Sequence, residues 1–254
     1  MNGKFDLIQL SDRIYLMSDQ ENATGYFVVG DDKVLVIDTM SGYDDINAVI
    51  KKITDLPVMV VNTHGHGDHV LGNVYFDEAF IHPEEIEIVN MFLDNPEFIA
   101  ECEKYGLNMP PFKYLTGGEV IDIGGATFDV VLLPGHTKGG LCFLYREERV
   151  LFTGDGINCY LWMQLDHSLP MSALVDSLEN IMYLKDKADK ILHGHATGYE
   201  DISLMEQLCN AAKDLVEHPE LADTDPDYNW FGGVDKQHIY ADGKVICYSV
   251  RNLK

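Results

Sequence analysis

Apolar residues early in the chain come in short blocks separated by turn formers. Asp6–Leu10 and Ile14–Met17 are split by Ser11-Asp12, while Gly25–Val29 and Lys33–Ile37 flank Gly30-Asp31-Asp32, a turn signal between two β-rich runs. Within Asp44–Ile53 the apolar residues Ile46, Val49, Ile50 and Ile53 recur at helical spacing, and Pro57 closes that segment. Val58–Val61 is an unbroken apolar run and reads as a buried strand. This strand–helix–strand order predicts a sheet covered by helices.

Further along, Glu84–Leu93 and Glu97–Tyr105 have helical character and are parted by Asn95-Pro96, so 83–112 reads as a helical insertion ending at Met109-Pro110-Pro111. Strands are expected again at Val120–Ile123, Thr127–Leu133, Leu141–Tyr145 and Val150–Phe152. Met171–Lys185 and Ser203–Val216 are amphipathic helices with the strand Lys190–Leu192 between them. Glu217–Asn229 is acidic and contains proline, which predicts a loop, and Asp242-Gly243 between Gln237–Tyr240 and Lys244–Val250 is a hairpin signal. Strands followed by helices thus occur once in each half.

One stretch departs from this patterning. Asn62-Thr63-His64-Gly65-His66-Gly67-Asp68-His69 places three histidines and an aspartate within six residues, directly after a buried strand. Neutral imidazole and carboxylate are the usual protein ligands of zinc and its neighbours, and Gly65 and Gly67 would let the backbone turn sharply. Four side chains on so short a loop cannot all close on one ion. A division is expected, with His64 and His66 toward one ion and Asp68 and His69 toward a second. Each ion then needs further ligands. Three distant segments offer them at predicted strand ends beside glycine: Pro134-Gly135-His136-Thr137, Thr153-Gly154-Asp155-Gly156 and Leu192-His193-Gly194-His195.

Composition narrows the field. The 254 residues, 46% of them hydrophobic, suit one α/β domain over 1–254 with the insertion at 83–112. Lys and Arg number 18 against 42 Asp and Glu, and the net charge of −24 makes nucleic acid and acidic membranes poor partners. No apolar run approaches the roughly 18–20 residues that cross a bilayer. MNGKFDLIQL lacks the basic-then-apolar order of a signal peptide, so a cytoplasmic location is expected. Cys102, Cys142, Cys159, Cys209 and Cys247 are scattered and odd in number, which predicts reduced thiols. No G-x-S-x-G elbow, P-loop or G-x-G-x-x-G competes as a catalytic motif.

His64-x-His66-x-Asp68-His69, followed by Gly135-His136-Thr137, Gly154-Asp155 and Gly194-His195, resembles the five-part signature of the metallo-β-lactamase superfamily, over about Gly25 to Tyr199. The resemblance implies a four-layer αββα sandwich with metals at one edge. His64, His66 and His136 would bind the first metal, Asp68, His69 and His195 the second, and Asp155 would bridge them. His195 is preferred to His193 because the family's ligand follows the glycine. Two divalent ions, zinc first with iron and manganese also compatible, would share a water and lower its pKa. The hydroxide would attack a small-molecule ester, thioester, lactone or amide, with Asp68 orienting it and later holding a proton. A phosphodiesterase using the same two metals and an iron-dependent persulfide dioxygenase are the alternatives. The −24 charge opposes the first for polymeric substrates, and the complete second ligand set opposes the other. Penicillin-destroying members usually lack the bridging aspartate, and lactonases often carry tyrosine where Asn158 stands. Hydroxyacylglutathione thioesterases usually have a basic C-terminal region, which the acidic segment before Asn229 does not match.

Other residues have two readings each. Tyr160 and Trp162 either wall an apolar substrate pocket or fill the core. Lys138 either anchors a substrate carboxylate or is solvated. Asp38 either accepts a hydrogen bond from a metal-binding histidine or caps a helix. His193 is a candidate outer partner of a ligand, His82 a residue at a helix start near the site, and His167, His218 and His238 are expected on surfaces or loops. A homodimer is the default expectation for assembly.

Overall fold

The computed structural model describes residues 5–20, 23–219, 223–225 and 235–254, so much of the expected loop at 217–229 lies outside the described residues. The first half builds a seven-stranded sheet in plain sequence order: β1 (Asp6–Gln9), β2 (Ile14–Ser18), β3 (Thr24–Val29), β4 (Val34–Ile37), β5 (Val58–Val61), β6 (Ala79–Ile81) and β7 (Phe112–Tyr114). Pairing is antiparallel from β1 to β4 and parallel from β4 to β7. The second half adds β8 (Val120–Asp122), β9 (Thr127–Leu132), β10 (Leu141–Tyr145), β11 (Val150–Gly154), β12 (Tyr160–Met163), β13 (Lys190–His193), β14 (Glu200–Asp201), β15 (Asp235–Tyr240) and β16 (Lys244–Ser249). Six of these form a second sheet in the order β14-β13-β11-β10-β9-β8, and β12-β16-β15 form a small third sheet, in which the β15–β16 hairpin is the one expected around Asp242-Gly243 and the pairing of β12 is new. The helices are α1 (Ile46–Ile50), α2 (Gly67–Val70), α3 (Ile86–Leu93), α4 (Pro96–Tyr105), α5 (Met171–Ile181) and α6 (Ser203–Glu217).

Strand alternation sets the layers, because successive side chains point to opposite faces. Tyr26, Val28, Leu35 and Ile37 face Phe128, Phe143, Tyr145 and Phe152 between the two large sheets. Their neighbours Phe27, Val34 and Val36 point the other way, onto Ile46 and Ile50 of α1. On the second sheet Cys142, Leu144 and Leu151 turn outward to α5 and α6, whose apolar stripes run through Leu174, Leu178 and Ile181 and through Leu204, Leu208 and Leu215. The result is an αββα sandwich. The insertion behaves differently in its two helices: Val89 of α3 packs with Val70 and Ile81, while α4 buries no residue at all. No helix of the described residues is long and apolar enough to cross a membrane.

Several strands end at one edge of the sandwich, and hydrogen bonds tie the two halves there. Leu141 N donates to Thr63 O at 2.7 Å, Thr24 N to Gly194 O at 2.8 Å, and the Tyr26 hydroxyl to His193 O at 2.6 Å. Phe152 is fully buried between the sheets and stacks edge-on against Tyr26 at 5.2 Å between ring centroids. Phe152→Ala is expected to lower stability by about 3–5 kcal/mol. Urea unfolding checks this, and a loss well under that range would mean the sheets do not depend on this contact.

Candidate metal centre

The chain leaves β5 at Val61 and turns at once into the His64–His69 loop. Asn62 Nδ2 and Thr39 N both donate to His69 O, each at 2.9 Å, which folds the loop back on the sheet. Asp68 and His69 ride on α2, with His66 at its N-cap. Neither Gly65 nor Gly67 has a positive φ. Their need for glycine is space, since a Cβ on Gly65 would stand 2.7 Å from Glu85 O, and one on Gly67 would stand 2.8 Å from Phe92 Cδ1. The expected sharp turn is thus replaced by close approach of the insertion.

All seven residues singled out by the motif meet at this edge. His64 Nε2 lies 2.9 Å from His66 Nδ1, and His136 Nε2 lies 3.1 Å from the same atom. Nitrogens bound tetrahedrally at ~2.0–2.1 Å from an ion sit roughly 3.3 Å apart, so this trio is close to a ligand arrangement. On the other side His195 Nε2 is 3.5 Å from Asp68 Oδ2, and His69 Nε2 is 3.6 Å from it. Asp155 lies between the groups: its carboxylate is 3.8 Å from His136 Nε2, 3.7 Å from His69 Nε2 and 3.3 Å from His195 Nε2. Gly194 permits this approach, since a Cβ there would be 2.2 Å from Asp155 Oδ1.

Outer hydrogen bonds decide which ring nitrogen carries each proton. Asp38 Oδ2 accepts from His69 Nδ1 at 2.8 Å, turning His69 Nε2 inward. Thr63 Oγ1 donates its one proton to Asp38 Oδ2 at 2.7 Å, so at 2.9 Å from His64 Nδ1 it must accept. The Trp162 carbonyl accepts from His136 Nδ1 at 2.6 Å. His66, turned to the trio through Nδ1, has its Nε2 2.5 Å from His167 Nε2. Asp38 therefore takes the hydrogen-bonding role; the cap of α1 is Asp45.

Charge divides the two groups. Burial and the neighbouring imidazoles hold His64 and His66 well below the ordinary histidine range, and burial lowers His136 as well. Burial also pulls His69 down, but Asp68, Asp38 and Asp155 outweigh it and push it up to about 10. His195 rises to about 9 because Asp155 and Asp68 overcome its burial. Burial would raise Asp155, yet His195 and His69 hold its carboxyl well below the usual carboxylate range.

Three residues here were not assigned to the site from sequence. His167, expected on a surface or loop, instead stands against His66 because the turn before Ser168 is pinned to the His136 loop by a Ser168 Oγ–His136 O bond of 2.9 Å. Glu85 is fully buried and accepts from Gly65 N at 2.8 Å and Gly139 N at 2.6 Å, joining the two ligand-bearing loops. Asn158 Nδ2 donates to Asp155 Oδ1 at 3.1 Å, which orients that carboxylate. His193 sits outside the trios and accepts from His195 N at 3.3 Å.

The remaining candidates lie further out. A small pocket beside the first trio is lined by Thr63, His64, His136, Thr137 and Asp155 among others, but not by Tyr160, Trp162 or Lys138. Tyr160 and Trp162 belong to β12, with Trp162 reaching the site through its carbonyl, and Lys138 is exposed. His82 caps the turn Pro83–Glu85, His218 is exposed at the end of α6, and His238 pairs with Asp223 at 3.1 Å.

The donor set suits divalent cations. His69 Nε2 is buried with no hydrogen-bond partner, although carboxylates face it on two sides. Such an orphaned atom is costly unless an ion completes it. His64, His66 and His136 could hold one cation, and Asp68, His69 and His195 a second.

Comparison with known proteins agrees with this geometry. Acyl-coenzyme A thioesterase MBLAC2 of Gallus gallus is 27% identical over 216 residues, covering 73% of this chain and 76% of that protein. The Homo sapiens protein of the same name is 29% identical over 160 residues, covering 55% and 56%. Hydroxyacylglutathione hydrolase of Francisella philomiragia is 30% identical over 130 residues, covering 51% and 45%; the chain thus spans about half the length of these last two. A metallo-beta-lactamase from Erythrobacter litoralis superposes with a TM-score of 0.62 at 19% identity, covering 85% of this chain and 99% of that one. A metallo-beta-lactamase family protein from Thermus thermophilus gives 0.59 at 21%, covering 83% of each. At such identity these two speak for the fold alone. Residues 19–195 match the metallo-beta-lactamase superfamily, a span that opens before Asp38 and closes on His195, and the chain belongs to that superfamily.

Proposed function

We propose that this hydrolase is a two-cation enzyme for small-molecule acyl bonds, and that its substrates are thioesters. The observation that carries the proposal is Asp155, whose carboxylate stands between one all-histidine trio and one mixed trio. Such a carboxylate can serve two ions at once. The thioester choice draws on relatives named as an acyl-coenzyme A thioesterase and a hydroxyacylglutathione hydrolase.

His64, His66 and His136 would hold the first cation, Asp68, His69 and His195 the second, with Asp155 shared. Bound cations would supply acidification of a water and polarisation of the scissile carbonyl. The protein's own part is positioning and proton handling. Asp38 and the Trp162 carbonyl keep the Nδ1 protons of His69 and His136 turned outward, and Thr63 accepts that of His64. Asn158 fixes Asp155. Asp68 is the most accessible of these carboxylates, its side chain 35% exposed against 13% for Asp155. It is therefore placed to orient water and to hold the proton released during attack. Zinc is the proposed metal.

Metal analysis with a panel of thioesters, lactones and phosphodiesters tests the proposal. Two zinc ions per chain with thioester turnover supports it, and a single iron with oxygen uptake overturns it. Asp68→Ala and His136→Ala should each lower turnover by about 10²–10⁴-fold, while His238→Ala leaves it unchanged. Near-normal rates in the first two variants would refute the assignment. Asp38→Ala is expected to weaken cation binding by about 10–100-fold, read by chelator competition. His69 and His195, raised to about 10 and about 9, carry protons near neutral pH, and a ligating nitrogen cannot. Loading the second trio should therefore release protons, and its affinity should fall as pH falls; an indicator dye in weak buffer registers the release.

A further inference from the structure

Cys159 Sγ, a ring nitrogen of His193 and a carboxylate oxygen of Glu200 lie within 4.8 Å of one another, a spacing shared with the two trios of the candidate centre. Asp38, His64 and His69 also satisfy it, but there the Asp38 oxygens are already engaged by Thr63 and His69. Three separate pieces of chain supply the Cys159 group. His193 ends β13, Glu200 opens β14 on the strand beside it, and Cys159 sits just before β12, its carbonyl accepting from Val245 N at 2.9 Å. His193 is buried, while Cys159 and Glu200 are half-buried, so solvent can deliver a small ion but the donors are held by packed backbone.

The chemistry of the group favours a ligand role over a nucleophilic one. Burial and then Glu200 push the Cys159 thiol up to about 11, so at neutral pH it is a weak nucleophile. His193 Nδ1 accepts from the His195 peptide at 3.3 Å, so that ring nitrogen presents a lone pair. Thiolate and carboxylate would contribute two negative charges, with Lys244 offsetting one of them near Cys159. A sulfur, a nitrogen and an oxygen ligand suit a borderline-soft divalent ion better than calcium or magnesium.

We infer that Cys159, His193 and Glu200 form a third cation site, for Zn²⁺ or a similar divalent transition ion. Binding replaces the S–H bond of Cys159 by a bond from sulfur to the ion and sends one proton to solvent, with no change of oxidation state. The site is linked to the candidate centre through His195, whose N–H donates to His193 Nδ1 at 3.3 Å. Coordination through Nδ1 takes the lone pair that this bond uses. Coordination through Nε2 moves the ring proton to Nδ1. Either route releases the His195 peptide, so occupancy of the third site and the hold of His195 on its own ion oppose each other, reciprocally.

The candidate centre contains only nitrogen and oxygen ligands, so thiolate-to-cobalt charge transfer reports the third site alone. Metal-free protein is titrated with Co²⁺ and its absorption recorded. The expected result is a near-ultraviolet thiolate band that saturates with one equivalent of cobalt beyond those producing the visible bands of the nitrogen–oxygen centre. Cys159→Ser should abolish the band and one equivalent while leaving the visible bands and the melting temperature in place, and Glu200→Gln should weaken that equivalent. Saturation without a thiolate band, or a band that survives in Cys159→Ser, overturns the inference. Loss of the visible bands with the thiolate band intact would instead sink the two-cation proposal and leave this one standing.

Discussion

An imidazole can serve a cation only through a nitrogen that carries no proton, and five candidate ligand imidazoles crowd one edge of this sandwich, with His167 against them. Their protons must therefore be held outward before the inner lone pairs can converge. Asp38 carries most of this constraint. It takes the Nδ1 proton of His69 directly, and by absorbing the Thr63 hydroxyl proton it obliges Thr63 to accept from His64. The carboxylate is 2% exposed and its backbone stands at φ +61°. A non-glycine residue in that region costs on the order of 1–3 kcal/mol, a strain tolerated where the surroundings fix the residue. Here Asp38 N bonds Val61 O at 3.0 Å and both side-chain oxygens are engaged.

The helical insertion has a structural use beyond covering the edge. Its first turn wedges between the two loops that carry His64, His66 and His136. Glu85 reaches both with one carboxylate, and a Cβ on Gly139 would stand 2.4 Å from His82 Nδ1. A buried charge bonded to two backbone N–H groups resists any sliding of one loop past the other. Replacing the insertion with a short turn would keep the sheet but remove this tie.

Legibility followed the range of the interaction. The His64–His69 cluster declares itself because its residues are adjacent, and the distant segments around His136, Asp155 and His193–His195 stand out because each follows a strand and contains glycine, while the preference for His195 over His193 came from the family resemblance. The four layers were implied by the family resemblance rather than by local pattern, because β3, β4 and β10 are buried on both faces and their apolar runs do not say which face meets which layer. In the third sheet the β15–β16 hairpin was legible from Asp242-Gly243 and β12 was not: Tyr160–Met163 becomes a strand by pairing with Lys244–Ser249, and nothing within either segment names the other. Glu85 resembled its solvated neighbours Glu84 and Glu87, and its role depends on two amides from loops far away in sequence. His167 is an isolated histidine, and only the docking of Ser168 on the His136 loop brings it inward.

The bonds from Thr24 and Tyr26 to the His193 carbonyl have a kinetic consequence. They join positions separated by 169 and 167 residues, across both halves of the sandwich. Contacts of such sequence separation form late, because each half must be largely ordered before the connecting chain can be closed at tolerable entropy. The edge that gathers the histidines is then among the last regions to assemble during folding, so a nascent chain cannot complete both trios there until His195 has emerged.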